Sequence, residues 1–171
     1  LSALTWRQVG VWHDGEALWS QELRVEPQSS LGNNNFGNLL IQRGDVDAAL
    51  GHYTAAVAAN PHYAEAHDNL GVALAQKDSL AQAIAHYRLA LEANPNLASA
   101  HVNWGAVIAR QGDTDGAIAH YRAALAIDAS TADAHVNWAN TLVRTGRAAE
   151  ATVHYRAALA LRPDDVPAHL N

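Results

Sequence analysis

The chain has 171 residues, a formal net charge of −6 and a single lysine, Lys77. With no basic stripe to meet phosphates, this balance argues against nucleic acid and against adhesion to an acidic membrane surface. The absence of cysteine excludes disulfides and thiolate chemistry, and no run of about 18 apolar residues is present to span a bilayer. No signal peptide is visible. A chain that lacks methionine and begins at Leu1 reads as a processed or excised piece of something longer.

Residues 1–29 read as a degenerate half-repeat or cap, with the end of one helix expected over about residues 2–9 and a second over about 12–26. Trp12 and Trp19 stand where a capping helix pair would place core aromatics, while Glu22 stands where alanine is expected. Residues 30–63, 64–97, 98–131 and 132–165 are then four units of 34 residues, and 166–171 begin a fifth. The register is carried by Ala64–His67–Asn69–Gly71, Ala98–His101–Asn103–Gly105 and Ala132–His135–Asn137–Ala139 in the first halves. The second halves carry His86–Tyr87–Arg88, His120–Tyr121–Arg122 and His154–Tyr155–Arg156. Each unit reads as two helices that cover their apolar faces by stacking on neighbours. Between the helices, Gly44–Asp45 and Gly112–Asp113 predict a glycine in the left-handed conformation followed by an aspartate cap, with Gly146–Arg147 a looser version. Lys77–Asp78–Ser79 lacks the glycine. Arg43–Gly44–Asp45 belongs to this turn and is not read as an adhesion motif. Pro61, Pro95 and Pro163 close three of the units, Ala129 replaces the fourth proline, and alanine is expected to be small enough at 139.

The period, the small residues at the eighth, twentieth and twenty-seventh places, the aromatic at the twenty-fourth and the closing prolines together resemble the tetratricopeptide repeat (TPR) family. The resemblance implies an all-α fold, a right-handed superhelix of antiparallel helix pairs, with the first helix of each unit lining a concave wall. It implies a protein–protein interaction module that takes an extended peptide or protein segment on that wall. A second resemblance covers Leu4–Trp19, similar to the segment after the last transmembrane helix of bacterial multi-pass proteins related to the protein O-mannosyltransferases. It implies that the chain is the soluble tail of a membrane glycosyltransferase-like protein, on the extracytoplasmic side, with Trp6 and Trp12 near the interface.

On the expected wall the sixth place is always asparagine: Asn35, Asn69, Asn103, Asn137 and Asn171. This column is similar to the ladder of the O-linked N-acetylglucosamine transferase TPRs. A primary amide offers one acceptor and two donors, which matches a peptide bond. Neighbouring helices about 8–10 Å apart match about three residues of extended chain at about 3.3 Å each. The same amides have an alternative use, bonding the adjacent helix or one another, since asparagine is a poor helix former that needs a reason to recur. Selectivity would come from Asn34, Asn38, Asp68, Val102, Val136, Arg110 and Arg144, with Arg110 and Arg144 suited to an acidic group. Asn34, Asp68 and Val102 stand where a two-carboxylate clamp would want lysine, so chaperone C-termini are not the expected ligands.

Histidines fill the fourth place (His67, His101, His135, His169) and the twenty-third (His52, His86, His120, His154). Within a column, members about 8–10 Å apart cannot share a metal whose bonds are about 2.0–2.1 Å, so packed imidazoles, no metal and no cofactor are expected. Charging them near pH 6 should weaken stacking. No nucleophile with a base at fixed spacing, no phosphate loop and no free carboxylate pair is present, so no enzyme is read here. The alternative role is structural, with the open ends of the array stacking on another copy.

Overall fold

The computed structural model describes residues 15–163. The helix expected over residues 2–9, Trp6, Trp12, Asn171 and the beginning of a fifth unit lie outside the described residues. Every regular element among those described is an α-helix: α1 (Gly15–Val25), α2 (Ser30–Gln42), α3 (Val46–Ala59), α4 (Ala64–Gln76), α5 (Leu80–Ala93), α6 (Ala98–Arg110), α7 (Thr114–Ile127), α8 (Ala132–Arg144) and α9 (Ala148–Leu161). The chain comprises two units that divide between Ala93 and Asn94. In the first, each of α1 to α4 packs on the helix after it and α2 also meets α4. In the second, α6 to α9 follow the same order and α6 also meets α8. Within each unit, helix pairs thus stack on the next repeat, the all-α solenoid that the period predicts.

The core is built for close approach. Ala49, Ala56, Ala83, Ala90, Ala117 and Ala124 are fully buried, and Tyr53, Tyr87 and Tyr121 are the large side chains wedged among them. Each tyrosine ring lies flat on a first-helix glycine: a Cβ at Gly37 would fall 2.6 Å from Tyr53 Cε1, at Gly71 2.5 Å from Tyr87 Cε1, and at Gly105 2.7 Å from Tyr121 Cε1. No real Cβ approaches so near, so the ring would have to move. In the last described repeat, Ala139 occupies this place and Tyr155 is only half-buried. Alanine fits there, but with its tyrosine less deeply seated than the other three.

The turns follow from backbone chemistry. Gly44, Gly112 and Gly146 have φ of 81°, 92° and 76°, and the aspartates that follow the first two cap the next helix, Asp45 accepting from Ala48 N at 3.1 Å and Asp113 from Gly116 N at 2.9 Å. In the turn without glycine, Asp78 itself adopts φ 60°. Space is open where a Cβ on Gly112 would point, so Gly112→Ala should cost about 1–2 kcal/mol through backbone strain alone. Asp78→Gly should relieve part of that strain and raise the urea midpoint; a lowered midpoint for Asp78→Gly would contradict it. The inter-repeat turns are also one device. Asn60 Oδ1 accepts from His62 N at 3.1 Å, Asn94 Oδ1 from Asn96 N at 3.1 Å and Asp128 Oδ1 from Ser130 N at 2.9 Å. Ala129 can therefore replace the proline because the side chain before it already sets the turn. Glu22, out of pattern in the sequence, accepts from Ser29 Oγ at 2.6 Å while Ser29 Oγ caps Gly32 N at 3.0 Å. Its carboxylate fixes the cap that starts α2.

Candidate functional site

In the second unit, the first helices α6 and α8 enclose two adjoining cavities. One of about 390 Å³ is lined by Ser99, Val102, Asn103, Val136 and Asn137, with Asp128, Thr131 and Asp133 at its mouth. The other, of about 250 Å³, is lined by Ala106, Ala109, Asn137, Asn140 and Thr141, with Arg110 and Arg144 at its edge. Asn137 lines both. Six of the expected site residues, Val102, Asn103, Arg110, Val136, Asn137 and Arg144, are thus brought together here. The two ends carry opposite charge: carboxylates by the helix N-termini, guanidinium groups by the C-termini. Both ends are braced. Arg162 pairs with Asp133, Arg144 donates to the Ala109 carbonyl, and Ser130 holds Asp128 and pulls its carboxyl below the usual range. These contacts preorganise the charged groups. Val102 in the first cavity and Ala109 in the second are buried apolar members of the lining.

In the first unit the expected residues separate. Asn34 and Asp68 are buried, whereas Asn35, Asn38 and Asn69 are half-buried. Asn69 Nδ2 donates to Asn34 Oδ1 at 2.9 Å, and Asn34 Nδ2 donates to Tyr63 Oη at 3.4 Å. Asn34 is therefore engaged within the protein. Asn69 retains its carbonyl and one N–H after that bond, enough to meet one peptide unit. Asn38 Oδ1 accepts from Tyr53 Oη at 2.8 Å, a phenol that burial pushes up to about 12 and so keeps as a donor. Of the asparagine column, Asn69 makes the internal bond left open as an alternative in the sequence, to Asn34 of the neighbouring first helix.

The sequence reading missed Asp128, Thr131 and Asp133, because it followed helix faces and these sit in or beside the inter-repeat turn. It also treated the histidines as two columns. They are pairs: His67 Nδ1 lies 3.0 Å from His86 Nδ1, His101 from His120 at 3.0 Å, and His135 from His154 at 3.1 Å. Helix pairing joins the fourth place to the twenty-third, which the comparison of like with like overlooked. Among the described residues no group of three or more metal-ligating side chains occurs, and no helix is long and apolar enough to cross a membrane.

Comparison with known proteins agrees with this fold. Residues 34–98 match the tetratricopeptide repeat family and residues 109–146 match a TPR repeat model. Among solved structures, TTC0263, a thermophilic TPR protein of Thermus thermophilus, is 27% identical over 95% of this chain and 89% of its own, with a TM-score of 0.79. MamA is 22% identical over 92% of each chain, with a TM-score of 0.72, and shows the shared fold. No curated protein matches. Residues 34–98 and 109–146 are tetratricopeptide repeats, and the chain is an all-α TPR solenoid protein.

Proposed function

We propose that this chain is a non-enzymatic interaction module that binds an extended peptide or protein segment along its first-helix face. The TPR fold generally mediates protein–protein interaction. The observation that carries the finer reading is the pair of adjoining cavities between α6 and α8 that share Asn137, with Asn103 beside one of them. Their lining alternates amide and small apolar side chains, which suits a backbone with small residues. Their charged ends favour a basic group near Asp128 and Asp133 and an acidic one near Arg110 and Arg144. Magnitude sets the expected strength. Several amide contacts at about 0.5–1.5 kcal/mol net each fall short of the roughly 8.2 kcal/mol of micromolar binding, so the apolar lining and the charged ends must supply the rest.

A second reading, self-association by stacking, is favoured by Val153, 65% exposed, and Leu161, 40% exposed, on α9. One experiment separates the two. The chain is passed over an immobilised library of random extended peptides while its mass is followed by sedimentation across a hundredfold range of concentration. A monomer that retains a defined subset of peptides supports binding in the groove; no retained peptide, with mass rising with concentration, supports stacking.

A further inference from the structure

The three histidine pairs are aligned head-on. Ring centroids are 5.3, 5.3 and 5.4 Å apart where the nitrogens are 3.0, 3.0 and 3.1 Å apart, a difference of about one ring radius on each side. Both Nδ1 atoms therefore lie on the line between the rings, the geometry of an N–H···N hydrogen bond. It is not that of a metal site: two bonds of about 2.0–2.1 Å in line would need the nitrogens about 4 Å apart, and a chelated ion would need the lone pairs to converge to one side. In the first pair the tautomers are fixed. His67 Nε2 lies 3.1 Å from the Pro61 carbonyl and must donate to it, so His67 Nδ1 accepts and His86 Nδ1–H donates.

We infer that each pair is a one-proton latch between the two helices of its repeat: closed when neutral or singly protonated, and forced open by a second proton. The first extra proton on the His67–His86 pair goes to His86 Nε2, which leaves the Nδ1–H···Nδ1 bond in place and charge-assisted. The second must go to His67 Nδ1, where it faces the His86 Nδ1–H with no acceptor between them and a like charge opposite. The latch recurs in the second, third and fourth repeats. The first repeat carries a different one: Asn33 Nδ2 is held by the Pro27 and Ser29 carbonyls, so its Oδ1 accepts from His52 Nδ1 at 2.9 Å whether or not that ring is charged.

The charged and aromatic surroundings of the three pairs differ. His86 is acted on by His67; His120 by His101 and, favouring charge, Asp113; His154 by His135 and Arg122, against Glu150, which favours charge. Trp104 lies 4.4 Å from the His120 ring and Trp138 3.9 Å from the His154 ring, faces that tolerate an imidazolium. Burial lowers the values of His52, His86, His101, His120, His135 and His154. The unfolded chain then binds more protons than the folded one below about pH 6.5. The contribution to stability is complete above that pH and is lost as pH falls through the lowered folded values.

The first repeat supplies the control. His67→Asn, His101→Asn and His135→Asn together install the asparagine–histidine combination already used by Asn33 and His52. Urea midpoints of the chain and of this triple variant are compared from pH 7.5 to 5.0. The folding equilibrium of the native chain should fall by about tenfold per pH unit for each latch that refuses its second proton, and the variant should keep only the shallower slope that burial alone imposes on a single ring, as at His52. Equal slopes would overturn the inference. If the variant does not fold, nitrogen-15 spectra of the native histidines decide: one proton per pair taken up before helix content is lost supports the latch, and six rings charging independently in a folded chain refutes it.

Discussion

Tyr87→Ala should lower the stability of the chain by about 3–5 kcal/mol, the range for removing a large, fully buried aromatic side chain. Tyr87 is 1% exposed and its ring lies on the Gly71 backbone. Truncation leaves a slot that α4 and α5 cannot close without a change in their separation. Because repeats are stabilised by their neighbours, the loss spreads to the α3–α4 contact. Gly71→Ala approaches the same site from the other side, pushing a methyl into the space of Cε1 at 2.5 Å. It should destabilise the native chain but not the Tyr87→Ala background, where the slot is empty and alanine is the better helix former. Urea unfolding followed by circular dichroism gives both values; a Tyr87→Ala loss under about 1 kcal/mol would remove the tyrosine–glycine wedge as a principle of this packing.

Asn103→Ala and Asn137→Ala combined should weaken the best peptide retained by the chain by roughly 5- to 150-fold, corresponding to two amide contacts at about 0.5–1.5 kcal/mol each. Both side chains are half-buried on the wall between α6 and α8, so their removal should leave the helix content unchanged. Asn34→Ala should act differently. Its amide is buried and holds Asn69 and Tyr63, so it should cost stability and leave the affinity of a peptide held between α6 and α8 unchanged. Fluorescence anisotropy with a labelled peptide, alongside urea midpoints for each variant, separates the two behaviours.

Much of the fold was legible because a 34-residue period repeats each local decision. The turn glycines, the aspartate caps and the glycines beneath Tyr53, Tyr87 and Tyr121 are dictated by φ, by orphan N–H groups and by volume, all of which a residue type announces. What escaped depends on geometry between elements. Adjacent places on a helix differ by about 100°, and that one step separates the buried Asn34 from the half-buried Asn35. The histidine pairs needed the separation of two antiparallel helices across 19 residues, which no single-helix count provides. Asp78 takes a left-handed φ of 60° because its neighbours impose the turn and the residue only tolerates it. The carboxylates at the mouth of the α6–α8 cavity come from the turn and the first residues of α8, where helical periodicity carries no information.

The measurement that bears most directly on the binding proposal is where a retained peptide lies. A photoreactive benzoylphenylalanine is placed at Val136, on the cavity wall, and in a second variant at Ala119, exposed on the second helix of the same repeat pair. After illumination with the peptide, groove binding predicts a strong cross-link at position 136 and little at 119. A cross-link at 119 with none at 136 would contradict it and move recognition to the outer layer of helices.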